Sequence, residues 1–212
     1  MDHEALMLRD PAPLLDLTLR EWGGQRPLWI FGYGSLLWRR EFEVDAEAPA
    51  QVHGWHRAFR MRSRVNRGTP EQPGLVFALM AGGSCRGAVF RIPAQRAEVE
   101  LRQLWQREMP TGVYDPRWLP CRTPDGPIQA LAFTLHRRSP GHTGRLADGQ
   151  MRHILTHARG RYGSTLDYLR ETAMELRRRG IHDREVERLL RLAPGTPPPA
   201  PAAGRSSSDP SG

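Results

Sequence analysis

Two features of this chain combine residue types and spacing in a way that could support chemistry. The first is Phe31-Gly32-Tyr33-Gly34-Ser35-Leu36-Leu37-Trp38, which continues an apolar run that reads as a strand. It fails as a dinucleotide fingerprint, because a G-x-G-x-x-G spacing would need glycine where Leu37 stands, and it lacks the P-loop lysine. What remains is a strand ending in a glycine-interrupted turn. Consecutive backbone N–H groups there can converge on an anion, since Gly34 permits close approach and unusual φ. A carboxylate pocket is one use of such a turn; a tight turn packed with aromatic side chains is the other.

The second feature is a helix expected over 94–109, beginning after Pro93 and stopped by Pro110. At 100° per residue, Ala97, Leu101, Leu104, Trp105 and Glu108 fall on one face, so Glu108 ends an apolar stripe. A carboxylate there is either the structural partner of a buried arginine or a site residue. Lost hydration against Trp105 and Leu104, and the negative end of the helix dipole, both act to raise its pKa. A carboxylate poised in this way can serve as a general base.

Other groups carry less. His153 and His157 sit four apart on one helix, but HILTH lacks the glutamate of H-E-x-x-H and no third ligand is evident, so surface or capping roles are expected. No G-x-S-x-G elbow exists, and Ser35 has no obvious His and Asp partners. Cys85 and Cys121 are too few for a disulfide framework and lack zinc-site spacing; they read as two reduced strand cysteines.

The elements that must position these residues follow from pattern. LWIFGYGS, WHRAFRMRS, GLVFALM, CRGAVFRI and IQALAFTLH read as strands, and 148–159, 164–179 and 183–192 as helices. Ser164 with Asp167 makes a capping-box pattern, and Gly180 is a good αL stop. Strands come first and helices mostly follow, which argues for an α+β fold with a small closed or nearly closed barrel-like sheet. The 212 residues suffice for one such domain, expected over 27–192. Residues 1–26, with an amphipathic stretch from Leu14 to Trp22, read as a helical arm. Residues 193–212, built of Pro, Ala, Gly and Ser, read as a disordered tail.

The net charge of +8 raises the question of a nucleic-acid partner. Yet the chain has no lysine, its 31 basic residues are all arginines spread along its length, and no nucleic-acid-binding signature accompanies them, so none is expected. No run approaches the roughly 18 apolar residues that span a bilayer, and the first residues carry acids where a signal peptide has bases. A cytoplasmic protein with no membrane partner is the expectation.

Taken in order and spacing, FGYGSLLW, SRVNRGTPEQPGLVFAL, GGSCRGAVFRI and QREMPTGVY resemble the ChaC-type γ-glutamylcyclotransferases over about residues 28–192. The resemblance implies a barrel-like α+β fold flanked by helices, and cleavage of glutathione to 5-oxoproline and cysteinylglycine. By position it implies that Tyr33, Gly34, Ser35 and Leu36 hold the γ-glutamyl group, that Glu108 handles its proton, and that Arg67 and Tyr168 belong to the substrate site. No metal, nucleotide or redox cofactor is expected. Two alternatives stand beside this: a cyclotransferase for other γ-glutamyl amino acids or amines, which the same loop and glutamate would serve, and a non-catalytic module binding anions or nucleic acid on the same fold, against which Glu108 on its apolar stripe speaks.

Overall fold

The computed structural model describes residues 9–195. The start of the expected arm and the expected tail from 196 onward lie outside the described residues. Within them, α1 (Ala12–Trp22) precedes five main strands, β1 (Leu28–Gly32), β2 (Ala46–Ser63), β3 (Gly74–Ile92), β4 (Asp115–Thr123) and β5 (Gly126–Thr134). Helix α2 (Ala94–Glu108) lies between β3 and β4, and α3 (Asp148–His157), α4 (Thr165–Arg178) and α5 (Arg184–Leu192) follow the sheet. Two-residue strands β6 (Arg159–Gly160) and β7 (Gly163–Ser164) form a small hairpin before α4.

The sheet closes into a barrel in the order β1-β3-β2-β4-β5, with β5 returning to β1 through a parallel pairing of Ile30 with Leu131. β1 is apolar almost throughout because it has a neighbour on each side and packed side chains on both faces. Leu28, Ile30, Leu131 and Phe133 pack with α1 and α2, whereas Phe31, Ala130 and Ala132 share the cluster that includes α3, α4 and α5.

GLVFALM and CRGAVFRI are one 19-residue strand, not two. Gly82-Gly83 looks like a turn in the sequence, but Gly54 on β2 lies opposite it. All three glycines adopt positive φ, and the register shifts between His53 and Trp55, so both strands bend together and the ladder resumes. β4 escaped the sequence pattern because Pro116 and Pro120 break it. It pairs with β5 along its length but with β2 only at Cys121 and Arg122, where a long unpaired edge tolerates the missing N–H groups.

The helix expected over 94–109 forms over 94–108, with Met109 as its C-cap, and Ala97, Leu101, Leu104 and Trp105 are buried on one face. Truncating Leu101, which is fully buried, would cost about 2–5 kcal/mol and loosen the element that carries Glu108. Glu100 is also buried, tied to Arg96 at 2.7 Å, a carboxylate the stripe did not anticipate. The capping box at Ser164 and Asp167 is formed, and Gly180 takes φ 65° just past α4. Cys85 and Cys121 are free, buried strand residues.

The arm's helix docks on the domain. Trp22 is buried, Trp105 Nε1 donates to the Pro11 carbonyl at 3.1 Å, and Trp118 Nε1 donates to Glu21 at 2.9 Å. At the other end Ala193 is buried and its N–H bonds the Leu190 carbonyl, so the packed chain runs past the point where a tail was expected to begin. No helix among the described residues is long and apolar enough to cross a membrane. The densest arginine run is committed within the chain: Arg177 pairs with Glu187, Arg178 with Glu175, and Arg179 with Glu175 and Glu47.

Candidate active site

β1 ends at Gly32, and the chain turns through a 3-10 turn at Ser35–Leu37, closed by bonds from Leu37 N–H to Gly34 and from Trp38 and Arg39 N–H to Ser35. The opening N–H groups of such a turn have no partner within it and face outward at its start. Tyr33 is fixed at both of its polar ends. Its hydroxyl donates to the Phe133 carbonyl at 2.7 Å, and its carbonyl accepts from buried Arg57 at 2.6 Å. Gly34 has a φ of −132°, so it does not use the positive φ that glycine permits. A Cβ at this position would lie 2.8 Å from the Tyr168 hydroxyl, and close approach is the reason for glycine there.

Opposite the turn, α2 ends on Glu108, whose side chain is 15% exposed. Arg107 Nε lies 3.2 Å from Glu108 Oε1. The same guanidinium donates to the Arg39 carbonyl at 2.7 Å and to Ser35 Oγ at 3.4 Å, stitching the end of α2 to the turn. Burial pushes the Glu108 carboxyl above the usual glutamate range; Arg107 opposes that shift and the Glu41 carboxylate adds to it. Glu108 therefore has an arginine partner and also faces the cleft.

Arg67 comes from the segment between β2 and β3, where Gly68 and Gly74 meet backbone to backbone. A Cβ on Gly68 would lie 2.0 Å from the Gly74 nitrogen. Thr165 Oγ1 donates to the Arg67 carbonyl at 2.9 Å, anchoring that segment on α4. The Arg67 guanidinium is buried, donates to the Tyr162 carbonyl at 2.5 Å, and lies over the rings of Trp38 and Tyr168. Tyr168 accepts from the Phe77 N–H through its hydroxyl at 3.2 Å and packs against Trp38, Phe59 and Phe77. Burial raises its pKa to about 12, and it pushes the phenols of Tyr33 and Tyr114 upward too, so all three are neutral at pH 7.

Tyr33, Gly34, Ser35, Leu36, Arg67, Glu108 and Tyr168 all line one cleft. Leu36 is also buried in the apolar cluster beside α2. Pattern reading missed Glu41, Asn66, Arg107, Tyr114 and Tyr162, which line the same cleft. The available signals were adjacency: Arg107 and Tyr114 flank Glu108 within QREMPTGVY. His153 and His157 stack on each other on exposed α3, away from the cleft lining. Among the described residues no three His, Cys, Asp or Glu gather as a metal site.

Chemically, the arrangement sets a buried carboxylate with a raised pKa across from a turn rich in N–H donors, with a buried cation between aromatic rings nearby. Such a cleft can bind an anionic amino-acid head and move protons at its acyl end. Residues 28–194 match the family described as ChaC-like protein. The glutathione-specific gamma-glutamylcyclotransferase of Escherichia coli (strain K12) is 37% identical over 165 residues, covering 77% of this chain and 71% of that protein. The enzyme of the same name from Schizosaccharomyces pombe (strain 972 / ATCC 24843) is 32% identical over 189 residues, covering 77% and 92%. A crystal structure of a gamma-glutamyl cyclotransferase specific to glutathione from yeast superposes with a TM-score of 0.72 over 79% of this chain and 96% of that one, at 20% identity.

Proposed function

The chain belongs to the ChaC-like family, and from that premise we propose that it acts in the cytoplasm as a γ-glutamylcyclotransferase, cleaving glutathione to 5-oxoproline and cysteinylglycine. The observation that carries this is the placement of Glu108. It is a largely buried carboxylate at the end of α2, joined through Arg107 to Ser35 of the turn.

In the reaction the α-amine of the γ-glutamyl residue attacks its own γ-carbonyl carbon. A C–N bond closes the five-membered lactam and the C–N bond to cysteine breaks. Both reacting groups belong to one molecule, so the protein's task is to fold that molecule and move protons. Two protons leave the attacking nitrogen and two arrive on the expelled one, with no water consumed. Glu108 handles these transfers in turn, accepting from the ammonium and giving to the leaving amine. Its raised pKa brings it closer to the value such a shuttle needs near neutral pH. The N–H groups at the start of the Ser35–Leu37 turn hold the α-carboxylate or the developing oxyanion. Arg67 supplies the buried cation for an α-carboxylate, and Tyr168 backs Gly34 and carries Arg67 on its ring.

The test is incubation of the purified protein with glutathione and, separately, with γ-glutamyl-alanine, following 5-oxoproline by mass spectrometry. Release from glutathione, with little or none from the dipeptide, is expected. Absence of 5-oxoproline from glutathione would end the proposal.

A further inference from the structure

Four arginines line the cleft and the groove that continues it past Tyr162 and Arg107: Arg39, Arg67, Arg107 and Arg161. Arg39 is paired with Glu41 at 2.8 Å, and Arg107 with Glu108 and Glu41. Among the described residues neither Arg67 nor Arg161 has a carboxylate partner within ion-pair distance. Arg67 is buried at depth and Arg161 is exposed at the rim.

The two are held at a fixed separation by one short piece of chain. Arg161 and Tyr162 form the connection of the β6–β7 hairpin. The Arg161 N–H bonds the Val65 carbonyl at 2.8 Å and the Tyr162 N–H bonds the Asn66 carbonyl at 2.9 Å. The Tyr162 carbonyl in turn accepts from the Arg67 guanidinium. The Tyr162 ring, 40% exposed, has the Arg161 guanidinium 5.3 Å from its centroid and that of Arg39 at 4.2 Å on the ring as well. The same groove is lined by Pro11, Trp105 and Met109 and by the Glu41 carboxylate, which Arg39 and Arg107 already hold.

Glutathione carries two carboxylates, one at its glutamyl head and one on its terminal glycine. Two unpaired guanidinium groups, one at depth and one at the rim, match that charge pattern. We propose that Arg161, stacked on Tyr162, binds the glycine carboxylate and makes the site select γ-glutamyl compounds whose leaving group ends in a carboxylate at dipeptide distance. This rests on the cyclotransferase reading and adds a specificity determinant to it.

The experiment compares glutathione with its glycinamide, in which that carboxylate is neutral, using wild type, Arg161→Ala, Arg161→Lys and Arg161→Glu, with 5-oxoproline as readout. Wild type is expected to favour glutathione by about tenfold or more in kcat/KM, the scale of one charge-assisted hydrogen bond, mostly through KM. The ratio should fall toward one in Arg161→Ala, stay partly preserved in Arg161→Lys, and reverse in Arg161→Glu. A wild-type ratio near one, or an unchanged ratio in Arg161→Ala, overturns the assignment while leaving the cyclotransferase reading intact. A wild type inactive on both compounds overturns that reading and this assignment with it.

Discussion

The buried guanidinium of Arg57 donates through Nε to the Tyr33 carbonyl at 2.6 Å, so the start of the turn after β1 is held from behind by a side chain of β2. Its other nitrogens reach the Arg86 carbonyl at 2.6 Å and the carboxylate of Asp183, the N-cap of α5, at 2.5 Å. One cation thus joins the end of β1, the middle of β3 and the last helix.

Replacing Arg57 with methionine keeps much of the side chain's bulk but removes the guanidinium from two carbonyls and leaves the Asp183 carboxylate with only its backbone donors, Glu185 and Val186. Breaking a buried pair from one side costs about 3–5 kcal/mol, and that loss is expected in urea unfolding at pH 7. A loss below about 1 kcal/mol would mean that water replaces the guanidinium and that the turn has other support.

Gly34→Ala places a methyl 2.8 Å from the Tyr168 hydroxyl, so either the turn or the phenol must move. Turnover should fall by about tenfold or more, since sub-ångström displacement of a positioned group is costly. Adding Tyr168→Phe removes the clashing oxygen and should recover part of that loss, giving a non-additive double mutant. Strictly additive losses would show that the glycine is there for another reason.

Much of this arrangement could be seen in the residues alone, and what could not has physical causes. Periodicity places Glu108 on the stripe of α2 because the helix packs as an ordinary amphipathic one. Both halves of β3 read as strands, but their continuity was hidden because Gly82-Gly83 has the composition of a turn, and only the partner glycine across the ladder makes it a bend within a strand. β4 was hidden by prolines that only an under-paired edge could accept. Arg107 sits beside Glu108 in the sequence, but its bonds to Arg39 and Ser35 depend on where the turn after β1 lands. Arg57 is one arginine among 31, and nothing local marks it as the buried one.

The neighbours of Glu108 act on its pKa in opposite directions, and this can be read in the acid limb of kcat/KM. As the proposed base, Glu108 would have to be ionised to accept the ammonium proton, so activity should rise with pH through its raised pKa. Removing the Glu41 charge as Glu41→Gln should move that limb to lower pH, and Arg107→Gln should move it to higher pH. Shifts of the same sign, or none, would show that another group sets the limb.

Stability should report the same carboxylate. A group whose folded pKa is raised stabilises the fold below its unfolded pKa, and that contribution is lost as pH rises through the folded value. The ionised Glu108 is thus a cost at neutral pH, which Glu108→Gln removes. Relative to wild type, the variant should gain in melting temperature between pH 4 and pH 7. A relative decline over that range would mean that the Arg107 pairing outweighs burial.

Whether Glu108 carries the proton transfers is decided by Glu108→Gln, because glutamine keeps the shape but cannot accept a proton at neutral pH. The measurement is 5-oxoproline release from glutathione, with thermal unfolding recorded on the same preparation. A folded variant whose turnover falls by about 10²–10⁴-fold is predicted, the range of a general acid–base group. A well-folded Glu108→Gln protein retaining more than about a tenth of wild-type turnover would contradict the account, since that is a smaller loss than such a group produces.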